Sequence, residues 1–566
     1  MANPSCLNRR QLLPLLLSPR AVSGQGPARR GGSLTVALRS DIKTFLPLAA
    51  IDDPTRTVLS LCHSGLVRTN GETQKLEGVL AESWRLRDGG RRITVRLREG
   101  LRFSDGRPLT SADVVFTMQA HLDERAASPQ RDLLAPGGRP LEARALDVRT
   151  IELLLAAPSA LSERLLDELA ILPKHALEER LRAGTLASAW GVDARPETLV
   201  SSGPFRIAAY RPGQSVTLER NPHYWRTGGD GNRLPYLERV AFVFTSGEDA
   251  QLARLIAGEC DLVMNLGAAN TSLLEKYSQQ RNLQLTDLGA SLDSVSLLFQ
   301  LGGERERASP ALRDERVRAA IARVVDRESI VRLVYRGRAL PMTSHVSPGR
   351  RYWHNDKIAR TRATAAIVRA ELAKSGYRYD AEGMLLGRDG ARIQLTLIVN
   401  SSNPAYAQIA TIVAADLKQI GIGVQVSPLE FRSFVDRVMT KRDFDLAVMP
   451  LRSSAADPMS DMNILLSSGP MHLWNPAQKS PATQWEAEID RLMRQQAATA
   501  DPAARKRSFD RVQAIMAEQN PMIPLVSPHT LVASRKGLGN FRPSVLPNAA
   551  LWNADELYWA APPSPR

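Results

Sequence analysis

Alternation of apolar and polar positions marks the first elements of the chain. In Gly31–Leu38 (GGSLTVAL), Leu34, Val36 and Leu38 alternate with smaller or polar neighbours, a period of two that predicts a strand. Arg39–Pro47 reads as a loop, and a helical stretch follows through Val58 and Leu61 to Leu66. In RRITVRLREGLRFSDGRPLTSADVVFT, Ile93, Val95 and Leu97 face one way while Thr94, Arg96 and Arg98 face the other, which predicts a half-buried strand. Gly100 breaks it. Ser104-Asp105-Gly106 supplies turn residues, Pro108 keeps the chain extended, and Thr110 with Asp113 three positions on forms a capping-box-like start for a helix.

Further on, Phe205–Tyr210 and Ser215–Arg220 read as two strands joined by the turn Arg211-Pro212-Gly213. Val240–Ser246 is another strand, and EDAQLARLIAGECDLV reads as a helix leading into a short apolar strand. Leu312–Tyr335 carries Val317, Ile321, Val324 and Val325 at helical spacing. Ile393–Val399, Ala407–Ile420 and Gly423–Ser427 repeat the strand, helix, strand order. Strands alternating with helices predict α/β lobes with covered sheets.

A chain of 566 residues exceeds one compact core and divides into about three or four domains or lobes. Its 43% hydrophobic content suits a folded protein. The formal charge of +15 raises a nucleic-acid or membrane-surface reading, yet the arginines are scattered through every segment. No groove or stripe is implied, so no nucleic acid is expected. Cys6, Cys62 and Cys260 are too few for a disulfide scaffold and too far apart for a zinc site. A Cys62–Cys260 bridge and two buried thiols both remain open.

The segment MANPSCLNRRQLLPLLLSPRAVSGQGPARRGG runs from positive to apolar to small residues, the order of an export leader, and NRRQLL is similar to a twin-arginine motif. No later stretch has the roughly 18 to 20 apolar residues of a membrane span. A soluble, periplasmic mature chain is expected.

Signatures of catalysis are missing from the sequence. The eight histidines never fall at i, i+4 or beside cysteines at ligand spacing, so no metal is signalled. Phosphate-loop, dinucleotide-fold and G-x-S-x-G patterns do not occur. The pairs Asp52-Asp53 and Glu486/Glu488 read as solvated faces. These absences lower the expectation of an enzyme but do not exclude one; no enzymatic activity and no cofactor are expected.

Taken in order, several of these segments resemble the large extracytoplasmic solute-binding proteins of ABC importers, in the peptide/opine/nickel group that includes oligopeptide- and dipeptide-binding proteins. Leu80–Thr117 (LAESWRLRDGGRRITVRLREGLRFSDGRPLTSADVVFT) carries the signature. SGPFRIAAYRPGQSVTLERNPHYW, RLPYLERVAFVFTSGEDAQLARLIAGECDLV, LRDERVRAAIARVVDRESIVRLVYRGRALP and FDLAV follow in family order, so the likeness covers about Gly31 to Tyr558.

The resemblance implies an α/β, two-lobe periplasmic-binding-protein clamshell of the large peptide-binding type, with an inserted subdomain in lobe one. Its expected boundaries are a leader at 1–30, lobe one at 31–66, 197–294 and 523–566, the inserted subdomain at 67–196, and lobe two at 295–522. Hinge strands are expected near Val295–Gln300 and Ile523–Ser527. The implied function is capture of a peptide or peptide-like solute in the cleft, by a monomer, for delivery to an ABC transporter membrane permease, the only membrane contact being peripheral. A sugar or other non-peptide ligand, or a sensing module without transport, are the alternatives.

Candidate contacts follow from position. Asp41, Thr44 and Phe45 come after the first strand, where the family places lobe-one contacts. In the family's peptide binders, an aspartate four residues before the proline of the loop after the F-D-L strand pairs with the peptide ammonium group. Here MPLRSSAADPMSD puts Ser454 at that place, which lacks the charge such a bond uses. Arg452, Ser453 and Asp457 share the loop: Asp457 as a substitute carboxylate, Arg452 as a partner for an anionic group. Trp474 is a candidate stacking surface or a core residue, and Phe299 is expected to be structural.

Overall fold

The strand Met522–Arg535 ties the two lobes together. In the computed structural model, which describes residues 29–561 apart from 136–137, 159–162, 303–308, 360–361, 454, 477 and 548–549, its first half pairs with Ser294–Phe299 and Ala339–Pro341. Its second half pairs with Leu283–Ala290 and Leu262–Val263. One twelve-stranded sheet therefore runs through both lobes. The strand is buried along both halves and relaxes at Pro528 and His529 between them. Register shifts at Val295/Ser296 and Asp287/Ala290 flank that midpoint, and such bulges bend a strand locally. Val295–Phe299 and Ile523–Ser527, within the segments expected as hinge strands, lie side by side in this pairing.

In lobe one, Ser33–Leu38 lies parallel to Arg239–Phe244, with Leu34 opposite Val240, and the hairpin Phe205–Arg211/Ser215–Arg220 extends the sheet. Beside it stands a four-stranded antiparallel sheet of Ala81–Arg87, Arg92–Leu97, Thr150–Leu154 and Glu142–Ala145. Ile93, Val95 and Leu97 are each 0% exposed, as their alternation requires. The helix Ser111–Leu122 opens with a capping box in which Asp113 Oδ2 accepts the Thr110 N–H at 2.8 Å. Asp113 Oδ1 also accepts the Lys174 N–H at 3.0 Å, so the cap fastens a second helix start.

Lobe two has Gln394–Asn400 parallel to Gly423–Leu429 and Leu446–Leu451, with the helix Pro404–Gln419 in the crossover. Val295, Leu297 and Phe299 join one core and Leu298 the opposite one, so both faces of this sheet are covered. Phe299 is structural, 0% exposed.

Two open readings become definite. Leu312–Tyr335 is three helices, Pro310–Arg313, Glu315–Val324 and Arg327–Leu333. Asp314 and Asp326 cap the second and third by accepting the N–H groups of Arg316 and Ser329 at 3.0 Å, and a good cap residue starts a new helix where periodicity alone predicts continuation. Cys62 and Cys260 are both buried, in different core clusters, and no disulfide joins them.

Candidate functional site

Parallel strands in both lobes end in the segments that carry the candidate residues. Ser33–Leu38 runs into Arg39–Asp52 and the start of the helix Asp53–Cys62. In lobe two, Gln394–Asn400 leads to the first turn of Pro404–Gln419, and Leu446–Leu451 leads to the loop that begins at Arg452. In α/β sheets this is the end at which ligand crevices open.

The three lobe-one candidates lie together. Asp41 Oδ2 accepts from the Tyr210 hydroxyl at 2.8 Å and the Gly213 N–H at 2.7 Å, while Oδ1 accepts from Ile42 N–H. Its carboxylate pins the first-strand loop to the hairpin turn. Burial and this carboxylate push the Tyr210 hydroxyl up to about 12. Thr44 Oγ1 donates to the Trp190 carbonyl and accepts from Leu46 N–H. Phe45 is 1% exposed and meets Tyr210 edge-on, within the lobe-one core.

The lobe-two candidates divide. Arg452 is exposed. Ser453 donates its N–H to Asp293 Oδ1 at 3.0 Å and its hydroxyl to the Ala455 carbonyl at 2.6 Å. Ser454 lies outside the described residues. Asp457 caps Met459 N–H at 2.9 Å and pairs with Arg505 at 2.6 Å, so it serves the loop's own geometry. Trp474 is 1% exposed, donates to Glu486 Oε1 at 3.1 Å and lies against His472 and Trp485 in the core.

Two central residues carry no motif and one was set aside. Asp293 occupies the crossover between the lobes, its carbonyl held by Ser527 Oγ at 2.9 Å and its N–H by Ser291 Oγ at 3.2 Å. Burial pushes its carboxyl up, the Ser453 N–H and Arg452 oppose that rise, and Asp53 of lobe one adds to it. Tyr406 stands in the first turn of Pro404–Gln419. Burial raises its hydroxyl and Arg452 opposes the rise. Asp53, read from the sequence as part of a solvated pair, follows the Asp52 cap and pairs with Arg56 at 3.0 Å. Asp293 is thus joined to Ser453 by a hydrogen bond, while Arg452 and Asp53 reach it only through their charges. The signal for Asp293 was its place just before the expected hinge strand; nothing local marks Tyr406.

The lobes also touch away from Asp293. Gln74 Nε2 donates to the Gly349 carbonyl at 2.8 Å, and Arg351 Nη1 donates to the Glu72 carbonyl at 2.6 Å. Between those two residues, Arg350 is buried and pairs with Asp461 at 2.6 Å. Its Nε donates to the Ala456 carbonyl at 2.8 Å. The contact across the lobes is thus adjacent in sequence to the support of the 452–461 loop.

Residues 75–472 match the family described as bacterial extracellular solute-binding proteins, family 5 middle. The chain belongs to this family. As a family 5 binding protein it is 26% identical over 548 residues to the oligopeptide-binding protein AppA of Bacillus subtilis, covering 96% of this chain and 94% of that one. The solved structure of B. subtilis AppA with a nonapeptide superposes with a TM-score of 0.68 at 24% identity, over 94% of this chain and 100% of that one. The substrate-binding protein CtaP of Listeria monocytogenes gives a TM-score of 0.78 at 23% identity, over 94% and 100%. These likenesses show the clamshell fold. Among the described residues, no helix of this family 5 protein is long and apolar enough to cross a membrane, and no group of three metal-ligating side chains occurs.

Proposed function

We propose that this family 5 protein is the solute-binding component of an ABC importer, capturing a peptide or peptide-like solute between its lobes and presenting it to a membrane permease. The observation that carries the reading is the polar junction at the crossover, where Asp293 is held by Ser453 and Ser527 and is acted on by the charges of Arg452 and Asp53 from the two lobes. A solute touching such a junction binds the closed arrangement more tightly than the open one, and only that difference drives closure. The peptide class is supported by what AppA is named for and by the nonapeptide in its structure. Asp41, Thr44, Phe45, Arg452, Ser453, Ser454, Asp457 and Trp474 remain the proposed neighbourhood, with direct contact assigned to Arg452 and Ser453. The leader at 1–30 exports the chain to the periplasm, where it acts as a monomer with the lobe boundaries given above.

A non-peptide solute is the second reading, favoured by a hydroxyl at Ser454. The two are separated by native mass spectrometry of protein purified without refolding, followed by thermal shift against mixed tripeptides to pentapeptides. Co-purified peptide masses and a concentration-dependent rise in Tm support the first reading. A retained non-peptide mass with no shift from any peptide pool overturns it.

A further inference from the structure

Asp293 is built as a recognition group. Its backbone is fixed on both sides, by Ser291 Oγ and Ser527 Oγ, and its Oδ1 is fixed by the Ser453 N–H. Among the described residues, Oδ2 accepts no hydrogen bond. The side chain is half-buried, and no cation lies within ion-pairing distance of it among the described residues. Arg452 and Asp53 both act on it electrostatically from the two lobes.

A carboxylate accepts hydrogen bonds and donates none, so its open oxygen calls for a donor, and a charged donor forms the shorter and stronger bond. Holding Asp293 rigid before the solute arrives removes the ordering cost at binding.

We propose that Asp293 is the specificity-determining acceptor for an ammonium group of the solute, bound through Oδ2, with Arg452 beside it for an anionic group of the same solute. This rests on the binding-protein reading above. For a peptide, it means that a free amino terminus is taken at the crossover between the lobes, by a residue outside the 452–458 loop.

The test compares wild type with D293N, using a mixed tetrapeptide pool with free amino termini and the same pool N-acetylated, read by isothermal calorimetry. Asparagine keeps an oxygen for the Ser453 N–H, removes the charge and puts an NH2 donor where Oδ2 accepted. Wild type is expected to bind the free pool at least tenfold more tightly than the acetylated one. D293N is expected to lose at least tenfold for the free pool and with it the wild-type preference for the free over the acetylated pool. Unchanged discrimination in D293N overturns the assignment. The wild-type ratio is a second measurement that needs no variant: equal binding of both pools leaves peptide capture standing and overturns Asp293. Binding of neither pool overturns peptide capture and the assignment with it.

Discussion

Gln74 of lobe one donates its side-chain amide to the Gly349 carbonyl of lobe two at 2.8 Å, across 275 positions of sequence. Gln74 holds a left-handed φ of 56°, uncommon outside glycine. The turn that carries it is organised by Asn70, whose Oδ1 accepts from Glu72 and Thr73 N–H. With Arg351 donating to the Glu72 carbonyl, the turn is clasped twice. Each such hydrogen bond contributes about 0.5–1.5 kcal/mol, so the double variant Q74A/R351A is expected to shift the ligand-free population toward the open form by about tenfold. Small-angle scattering should show a larger radius of gyration. An unchanged scattering profile would mean that the clasp does not hold the lobes.

Gly349 has no room for a side chain. A Cβ there would lie 2.4 Å from the Ala290 and Ser291 carbonyl oxygens. Neither neighbour is a flexible side chain that can swing aside. G349A is expected to displace the loop that carries Arg350, lowering Tm by several degrees, with a cost of about 1–3 kcal/mol. Differential scanning calorimetry measures it, and a Tm within 1 °C of wild type, roughly the scale of surface changes, would contradict the packing.

Arg350 and Asp461 form a buried pair beneath the 452–461 loop. Burial pushes the Asp461 carboxyl up and Arg350 opposes it. Removing only the cation leaves a charge buried without compensation, which costs about 3–5 kcal/mol in comparable pairs. R350A should therefore lower the urea midpoint strongly, while the double variant R350M/D461L should lower it much less. Equal losses in the two variants would show that the pair's charge is not what matters.

Much of the architecture could be read from the sequence because it rests on local rules. Alternation at Ile93, Val95 and Leu97 and the Thr110/Asp113 cap gave their elements directly, and the hinge strands followed from the family order of segments. The split of Leu312–Tyr335 was readable in principle, since Asp314 and Asp326 are strong caps, but apolar spacing continues across both. The site is different in kind. Asp293 acquires its meaning from Ser453, 160 positions away, and Asp53 from the opposite lobe, so neither can be weighed until the crossover is placed. Asp457 illustrates the converse: its loop suggested a ligand contact, and its carboxylate is engaged by Arg505 and the Met459 N–H.

Glu486 explains why Trp474 belongs to the core. Its carboxylate accepts from Trp474 Nε1 at 3.1 Å and from the N–H groups of Ala482 and Thr483 at 2.8 and 3.0 Å. Burial opposes ionisation, but the bonds from His472, Trp474, Ala482 and Gln478 win and bring the carboxyl down to about 2. A lowered acid stabilises the fold above its unfolded value, and that contribution is lost as pH falls from about 4.5 toward 2. Its size is on the order of 3 kcal/mol. E486Q presents an amide donor to groups that already donate, so it is expected to destabilise at pH 7 and to flatten acid unfolding between those pH values. Circular dichroism during acid titration checks both, and a wild-type-like profile would sink the argument.

Asp293 bears the opposite sign to Glu486. Its carboxyl is raised, burial being the main cause and Asp53 adding to it, against Ser453 N–H and Arg452. Tyr406, also raised by burial, stands in the same field of Arg452 and Asp293. The folded state therefore holds the Asp293 proton more tightly than the unfolded chain. Its ionisation costs stability as pH rises above the unfolded value of about 3.9. In the solute-free protein, D293N removes that cost, and its Tm at pH 7 is expected to equal or exceed that of wild type, the gap closing as pH falls below about 4. A structural carboxylate would behave the other way, its loss lowering Tm at pH 7. If the variant melts several degrees lower there, Arg452 and Ser453 overcompensate the burial and Asp293 is held for the fold; if it melts as high or higher while losing solutes that carry an ammonium group, the carboxylate is kept at the expense of stability because the solute requires it.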